Sequence, residues 1–245
     1  MLDEGQRVAA TSDEEKILAE RLHAVRERIA HAARSAGRDP QSVRLVAVSK
    51  FHPARAVAAL AAAGQRDFGE SYVQEACAKQ AELSHLPLRW HCIGHVQTNK
   101  AKHAAGSFCC IHSLDSLKLA QTLRRHVPAL KRQQVLIQVN VGDEEQKSGV
   151  HPGELPVLAE HVARMPEFEL AGLMCLPPFF DDGALARPYF ALLRELREGL
   201  RASLGLALPE LSMGMSGDFV EAVAEGSTLV RIGTDIFGSR YARRP

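Results

Sequence analysis

From residue 43 onward, short apolar runs rich in β-branched residues alternate with longer stretches whose apolar residues recur every three or four positions. That alternation constrains the fold more than any other feature, because parallel strands need a long crossover and an amphipathic helix is what fills it. The runs fall at 43–49, 66–69, 88–94, 107–113, 134–140, 168–174, 210–213 and 228–233. Helical periodicity marks 54–64, 70–83, 116–127, 154–165 and 187–204. Eight such strands in 245 residues predict an α/β fold of the closed (β/α)8 TIM-barrel kind, which is usually about this size. An open doubly wound sheet shares the alternation. Its GxGxxG fingerprint is missing after the first run, where the chain reads SKFHP.

Residues 13–36 read as an extra helix ahead of the first strand, closed near Gly37 and expected to pack across one end of the barrel. Residues 1–12 are expected to be a disordered leader and the final ARRP a frayed end. With no Gly/Ser-rich linker or repeat, 13–245 reads as one domain.

Charge narrows the function classes. Lys plus Arg number 30 against 29 for Asp plus Glu, a net charge of +1, so the broad positive field that nucleic acids attract is missing. The start is acidic and polar and no apolar run is long enough to span a bilayer, which predicts a cytoplasmic chain with no membrane partner. The five cysteines (77, 92, 109, 110 and 175) are odd in number and lack CxxC spacing, so neither a disulfide framework nor a metal site is expected. Cys92, Cys109 and Cys110 lie in apolar runs, where a thiol packs as a small hydrophobe.

Polar residues gather where strands end, which in a closed barrel means one mouth. Lys50 follows the first apolar run directly. A lysine at that tip is either solvated or salt-bridged, or it is a desolvated amine able to condense with an aldehyde. Around the seventh and eighth strands the chain reads LSMGMSGDFVEAVAEGSTLVRIGTDIFGSR. Ser212, Gly214, Ser216 and Gly217 lead toward a helix near Asp218, and Gly233 and Thr234 follow the last strand. Backbone N–H groups there suit an anion, since these two loops are the recurrent phosphate site of this fold; a helix N-cap at Ser216 and a plain turn at Gly233 are the other reading. Arg231 lies inside the eighth strand, where it must meet either a carboxylate or a ligand acceptor.

The segments LVAVSKFHP, DFGESYVQE, WHCIGHVQTNK, QVNVGDEEQKSG, GLMCLPP and SMGMSGDFVEAVAEGSTLVRIG, in this order from about residue 13 to 241, resemble the pyridoxal phosphate (PLP) homeostasis protein family. The resemblance implies a fold-type III PLP-binding barrel similar to the N-terminal domain of alanine racemase, with Lys50 as the Schiff-base lysine. It further implies that Ser216, Gly233 and Thr234 hold the phosphate and that Arg231 faces the pyridine nitrogen. Asn140 and Met213 would line the cofactor pocket. A donor that cannot lose its proton would keep that nitrogen unprotonated and make PLP a poor electron sink. One departure is Ser71 in GESYVQE, where the family commonly has Asn, which puts a second hydrogen bond there in doubt. His95, Gln97, Asn99, Lys100, Lys147 and Gly149 match family positions, and their loop either binds a second anion or is simply solvated.

The resemblance implies a monomeric carrier or regulator of PLP in vitamin B6 homeostasis that passes the cofactor to PLP-dependent apo-enzymes. A PLP-dependent racemase or lyase is the alternative. Racemisation needs an acid and a base on opposite faces of the substrate, and Lys50 supplies one. A barrel isomerase without PLP, using Lys50 as base, is a third reading.

Overall fold

A computed structural model describes residues 4–144 and 148–238, with backbone alone for 4–12. Eight parallel strands close a barrel in sequence order: β1 (Arg44–Val48), β2 (Asp67–Glu70), β3 (Arg89–Cys92), β4 (Cys110–Leu114), β5 (Gln133–Val139), β6 (Phe168–Cys175), β7 (Glu210–Ser212) and β8 (Leu229–Ile232). Closure is made by β8 on β1, in the register Val46 opposite Arg231 and Ala47 opposite Ile232. The crossovers carry α2 (Ala54–Ala62), α3 (Val73–Glu82), α4 (Ala101–Ala104), α5 (Leu117–Arg124), α6 (Leu155–Ala163), α7 (Arg187–Leu204) and α8 (Phe219–Ala224). The α7 bounds coincide with the periodic stretch, whereas α2, α3, α5 and α6 end sooner than their patterns do.

Strand alternation divides the core into two layers. Leu45, Ala47, Phe68, Ile111, Ile137, Leu173, Leu211 and Val230 pack with the helices in the larger cluster. Val46, Cys110, Leu136, Ala171, Met174 and Leu229 form a separate cluster inside the barrel. Each fully buried aliphatic side chain contributes about 1.5–3 kcal/mol, so both layers add to the stability of the closed barrel.

Two expectations need correction. The first helix, α1, spans Glu4–Ser35 and does not cross an end of the barrel. It lies in the outer ring, packed on α2, α8 and the single turn α9 (Thr234–Phe237). Among the described residues β8 is followed by the single turn α9, which leaves room in the ring between α8 and α2. The α1 stripe of Leu18, Leu22, Val25, Ile29, Ala32 and Ala33 fills that opening, and all six are buried. Helical backbone thus reaches back into the stretch set apart as a leader, while residues 1–3 and the ARRP end lie outside the described residues. Secondly, Cys109 is exposed, because β4 begins only at Cys110 and the preceding residue stands at the open lower rim. Cys92, Cys110 and Cys175 are buried thiols, and burial pushes Cys92 and Cys175 up to about 12. Among the described residues no helix is long and apolar enough to cross a membrane.

Candidate cofactor site at the barrel mouth

Strands β7, β8 and β1 are consecutive around the barrel, so the ends of these three meet at one arc of the mouth. Lys50 stands two residues past β1 and is half-buried. Val46 lies inside the barrel, and Lys50 stands beyond the end of the same strand, in the turn that leads into α2. The corner bearing it is held from behind. Lys79 of α3 donates to the Ser49 carbonyl at 2.7 Å, to Glu70 Oε1 at 2.7 Å and to Glu75 Oε1 at 2.7 Å. The Ser49 hydroxyl donates to the same Glu70 oxygen at 2.6 Å, and the Phe51 N–H donates to Glu75 at 2.6 Å. Phe51 is left-handed at φ 67°, a conformation a bulky residue adopts only when its surroundings impose it. Burial pushes the Glu70 carboxyl up, opposed by the hydrogen bonds from Lys79 and Ser49.

The loop after β7 is folded by Asp218, whose carboxylate accepts from the Met215 N–H at 2.6 Å while its own N–H donates to the Met215 carbonyl at 3.2 Å. Burial pushes this carboxyl up, with the Met215 N–H and Arg231 pulling the other way. Ser216 and Gly217 form the tip of the turn, and α8 starts at Phe219 with no side-chain cap, so the N-cap reading of Ser216 fails. Gly214 has φ +94°, and a Cβ there would lie 2.9 Å from Phe219 Cα; only glycine lets the turn sit down on α8. Its carbonyl accepts from the Arg231 N–H at 2.9 Å, which draws this loop alongside β8. Gly233 precedes the turn α9, and a Cβ on it would come within 3.3 Å of the Val48 carbonyl, so it abuts the end of β1. Among the described residues the N–H groups of Ser216, Gly217, Gly233 and Thr234 have no protein acceptor.

Arg231 is 3% exposed. It meets no carboxylate among the described residues; Nη1 donates to Ser212 Oγ at 2.6 Å and Nη2 to the Cys175 carbonyl at 2.9 Å. Burial lowers its pKa, yet a guanidinium stays charged. Of its five N–H groups, those two contacts take two. A nearly buried cation with donors to spare is costly unless an acceptor completes it.

Other expected residues are placed differently. Asn140, half-buried at the end of β5, uses its carboxamide on its own loop, donating to the Glu144 carbonyl at 3.0 Å. Met213 is fully buried with Leu211 in the layer between barrel and helices, because Ser212 between them takes the inward position. The Met213 side chain is therefore not presented at the mouth. His95, Gln97 and Asn99 are exposed, with His95 Nδ1 at 3.2 Å from Asp115. Gly149 adjoins Val150, whose N–H bonds the Gln138 carbonyl at 2.9 Å, so this loop returns along β5; Lys147 lies outside the described residues. Ser71 is close-packed through its backbone: a Cβ on Gly94 would run into the Ser71 carbonyl.

Sequence reasoning missed Ser49, Glu70 and Lys79, and the interior residues Asp67, His91 and His112. The signal was available for the last three, each a polar position beside an apolar outward neighbour in a strand.

The sequence matches the alanine racemase N-terminal domain family over residues 21–241. It is 50% identical over 224 residues to the pyridoxal phosphate homeostasis protein of Pseudomonas aeruginosa, covering 91% of this chain and 96% of that one. The Aquifex aeolicus protein of the same name is 45% identical over 90% of this chain and 97% of its own. Among solved structures, PipY of Synechococcus elongatus with PLP bound is 41% identical with a TM-score of 0.79, covering 90% of this chain and all of PipY. Alanine racemase from Corynebacterium glutamicum, at 18% identity and TM-score 0.69, shares the fold over 92% of this chain and 61% of its own. This chain belongs to the pyridoxal phosphate homeostasis protein family.

Proposed function

We propose that this chain binds pyridoxal 5′-phosphate reversibly at the barrel mouth and works as a monomeric, cytoplasmic carrier that shields the cofactor and passes it to PLP-dependent apo-enzymes. The observation that carries the reading is chemical: a half-buried lysine, a nearly buried arginine with donors to spare and four backbone N–H groups without protein acceptors among the described residues belong to three adjacent strand ends. These match, in turn, an aldehyde, a ring nitrogen and a phosphate. PLP supplies an electrophilic aldehyde, and Lys50 is the amine that condenses with it. Ser216, Gly217, Gly233 and Thr234 hold the phosphate, and Arg231 donates to the ring nitrogen. A permanently charged donor at that atom disfavours its protonation and weakens the ring as an electron sink, which suits holding the cofactor better than turning substrate over.

Absorbance of the purified protein titrated with PLP tests this. A visible band should form in the wild type and be lost in Lys50→Ala. Ser216→Ala should keep the band and release PLP roughly tenfold more readily, the loss of about one charge-assisted hydrogen bond. If the wild type develops no band, the cofactor reading is wrong. For the carrier part, holo-protein is incubated with amino acids in deuterated water; exchange at the α-carbon faster than with free PLP would favour a racemase or lyase instead.

A further inference from the structure

TIM-barrel interiors are ordinarily filled by bulky aliphatic side chains. Here a row of polar groups runs through the interior. From the lower rim, Arg89 donates to Asp67 Oδ2 at 2.5 Å, and Asp67 Oδ1 lies 2.9 Å from His91 Nε2. His91 Nδ1 lies 2.9 Å from His112 Nε2, and His112 Nδ1 lies 2.8 Å from Ser212 Oγ. Ser212 Oγ receives Arg231 Nη1 at 2.6 Å, at the mouth. His91 is 3% exposed, and His112 and Ser212 are fully buried.

For neutral imidazoles, the two ends of the row fix the direction of its hydrogen bonds. Hydrogen bonds from His91 and Arg89 hold the Asp67 carboxyl below its usual range against the opposing effect of burial, so it is an anion that only accepts. His91 Nε2 must then carry a hydrogen. Burial, reinforced by His91 and Arg231, keeps His112 neutral. In a neutral row His91 Nδ1 accepts, His112 Nε2 donates and His112 Nδ1 accepts. Ser212 must give its proton to His112, which leaves its oxygen lone pairs for Arg231. With both imidazoles neutral, a single arrangement satisfies the row, and it leaves the Ser212 lone pairs to the guanidinium.

We propose that Asp67, His91, His112 and Ser212 are positioning residues: a one-way hydrogen-bonded row that fixes the Arg231 guanidinium and thereby sets how strongly it donates to the ring nitrogen of the bound cofactor. This rests on the reading that PLP sits at the mouth. Around the row stand the Arg44–Glu210 ion pair, Cys110, Cys175 and Asp218. Cys110 lies close enough to both imidazoles for His91, Cys110 and His112 to make a three-ligand cation site, with ligand atoms within 4.8 Å of one another. In the row, however, both acceptor nitrogens already take a proton, and His91 and His112 have no lone pair left for a metal.

The test has one arm without cofactor. Nitrogen-15 NMR of the histidine side chains in the PLP-free protein at neutral pH should show His112 as a neutral Nε2–H tautomer facing a His91 Nδ1 that carries no hydrogen. A charged or Nδ1–H His112 overturns the proposal, as does a cobalt(II) titration that produces a thiolate charge-transfer band. The second arm uses loaded protein. Ser212→Ala and His112→Leu, neither of which touches the ligand, should both shift the pH at which the bound cofactor's visible band changes by about one unit, and Ser212→Thr should restore the wild-type profile. Unshifted profiles in folded variants defeat the positioning role while leaving PLP binding intact. Failure of the wild type to show a band at all instead defeats the cofactor reading. If a variant does not fold, the NMR result decides alone.

Discussion

Lys79 is the residue on which the Lys50 corner turns. It is 6% exposed, an unusual state for a lysine, and it is tolerated because Glu70, Glu75 and the Ser49 carbonyl surround its ammonium. Glu70 is fully buried, and its Oε2 has no hydrogen-bond partner. Lys79→Met would leave that carboxyl without its cation and release the Ser49 carbonyl. Removing one partner of a buried pair costs about 3–5 kcal/mol, so chemical denaturation should show a loss of that order. Adding Glu70→Gln to Lys79→Met should recover part of it, since the remaining group is then uncharged. Additive losses in the double variant would show that the two side chains do not act as a pair. PLP retention in Lys79→Met should fall as well, because Lys79 holds both the Ser49 carbonyl and the Glu75 carboxylate that accepts from the Phe51 N–H, on either side of Lys50.

At the scale of elements, α1 takes a place in the outer ring between α8 and α2. Its Leu22 is 1% exposed, and Arg28 of the same helix reaches Asp235 at 2.5 Å and stacks 4.9 Å from the Phe219 ring centre. Those contacts tie it to the two segments that follow the loops after β7 and β8. Leu22→Ala should therefore cost about 2–5 kcal/mol, measured by thermal or urea unfolding, and should loosen α8 and α9 as judged by faster amide exchange there than at α5. Equal exchange at both places would make α1 a passive cover. The helix itself was legible from its apolar spacing, but its position was not. A capped amphipathic helix before a first strand reads alike whether it closes an end or fills the ring, and the deciding fact, that α9 is a single turn, depends on where the chain leaves the barrel. Strands were legible for the opposite reason: β1, β5, β6 and β8 are largely apolar on both faces, so the run itself is the signal, even where a polar residue such as Arg231 interrupts it. The mouth was half legible. Lys50 and the glycines follow strand ends and Arg231 lies within β8, as the apolar runs indicated, whereas Met213 was misplaced by one step of the pleat and Glu70 and Lys79 are joined only by the packing of α3 on β2.

For the whole molecule, the site and the fold share parts. Arg231 is a barrel-core residue, Ser49 and Lys50 follow the strand that closes the barrel, and Gly233 abuts that same strand. A ligand that completes Arg231 and the phosphate-loop N–H groups binds the folded state alone, so it must stabilise the barrel in proportion to its occupancy. At about one hundred times its dissociation constant the gain is about 2.7 kcal/mol, and for a chain of this length each kcal/mol raises the melting temperature by about 2–4 °C. Saturating PLP should thus raise the melting temperature by roughly 5–10 °C. Lys50→Ala should retain part of that shift, because its phosphate loop and Arg231 are unchanged, whereas Ser212→Ala should lose more of it than one distant hydroxyl would suggest if the polar row orients Arg231. Inorganic phosphate alone should give a smaller rise that Lys50→Ala leaves untouched. Should PLP and phosphate stabilise equally, the mouth would be an anion site with no preference for the pyridine ring, and Arg231 would have no part in recognising the cofactor.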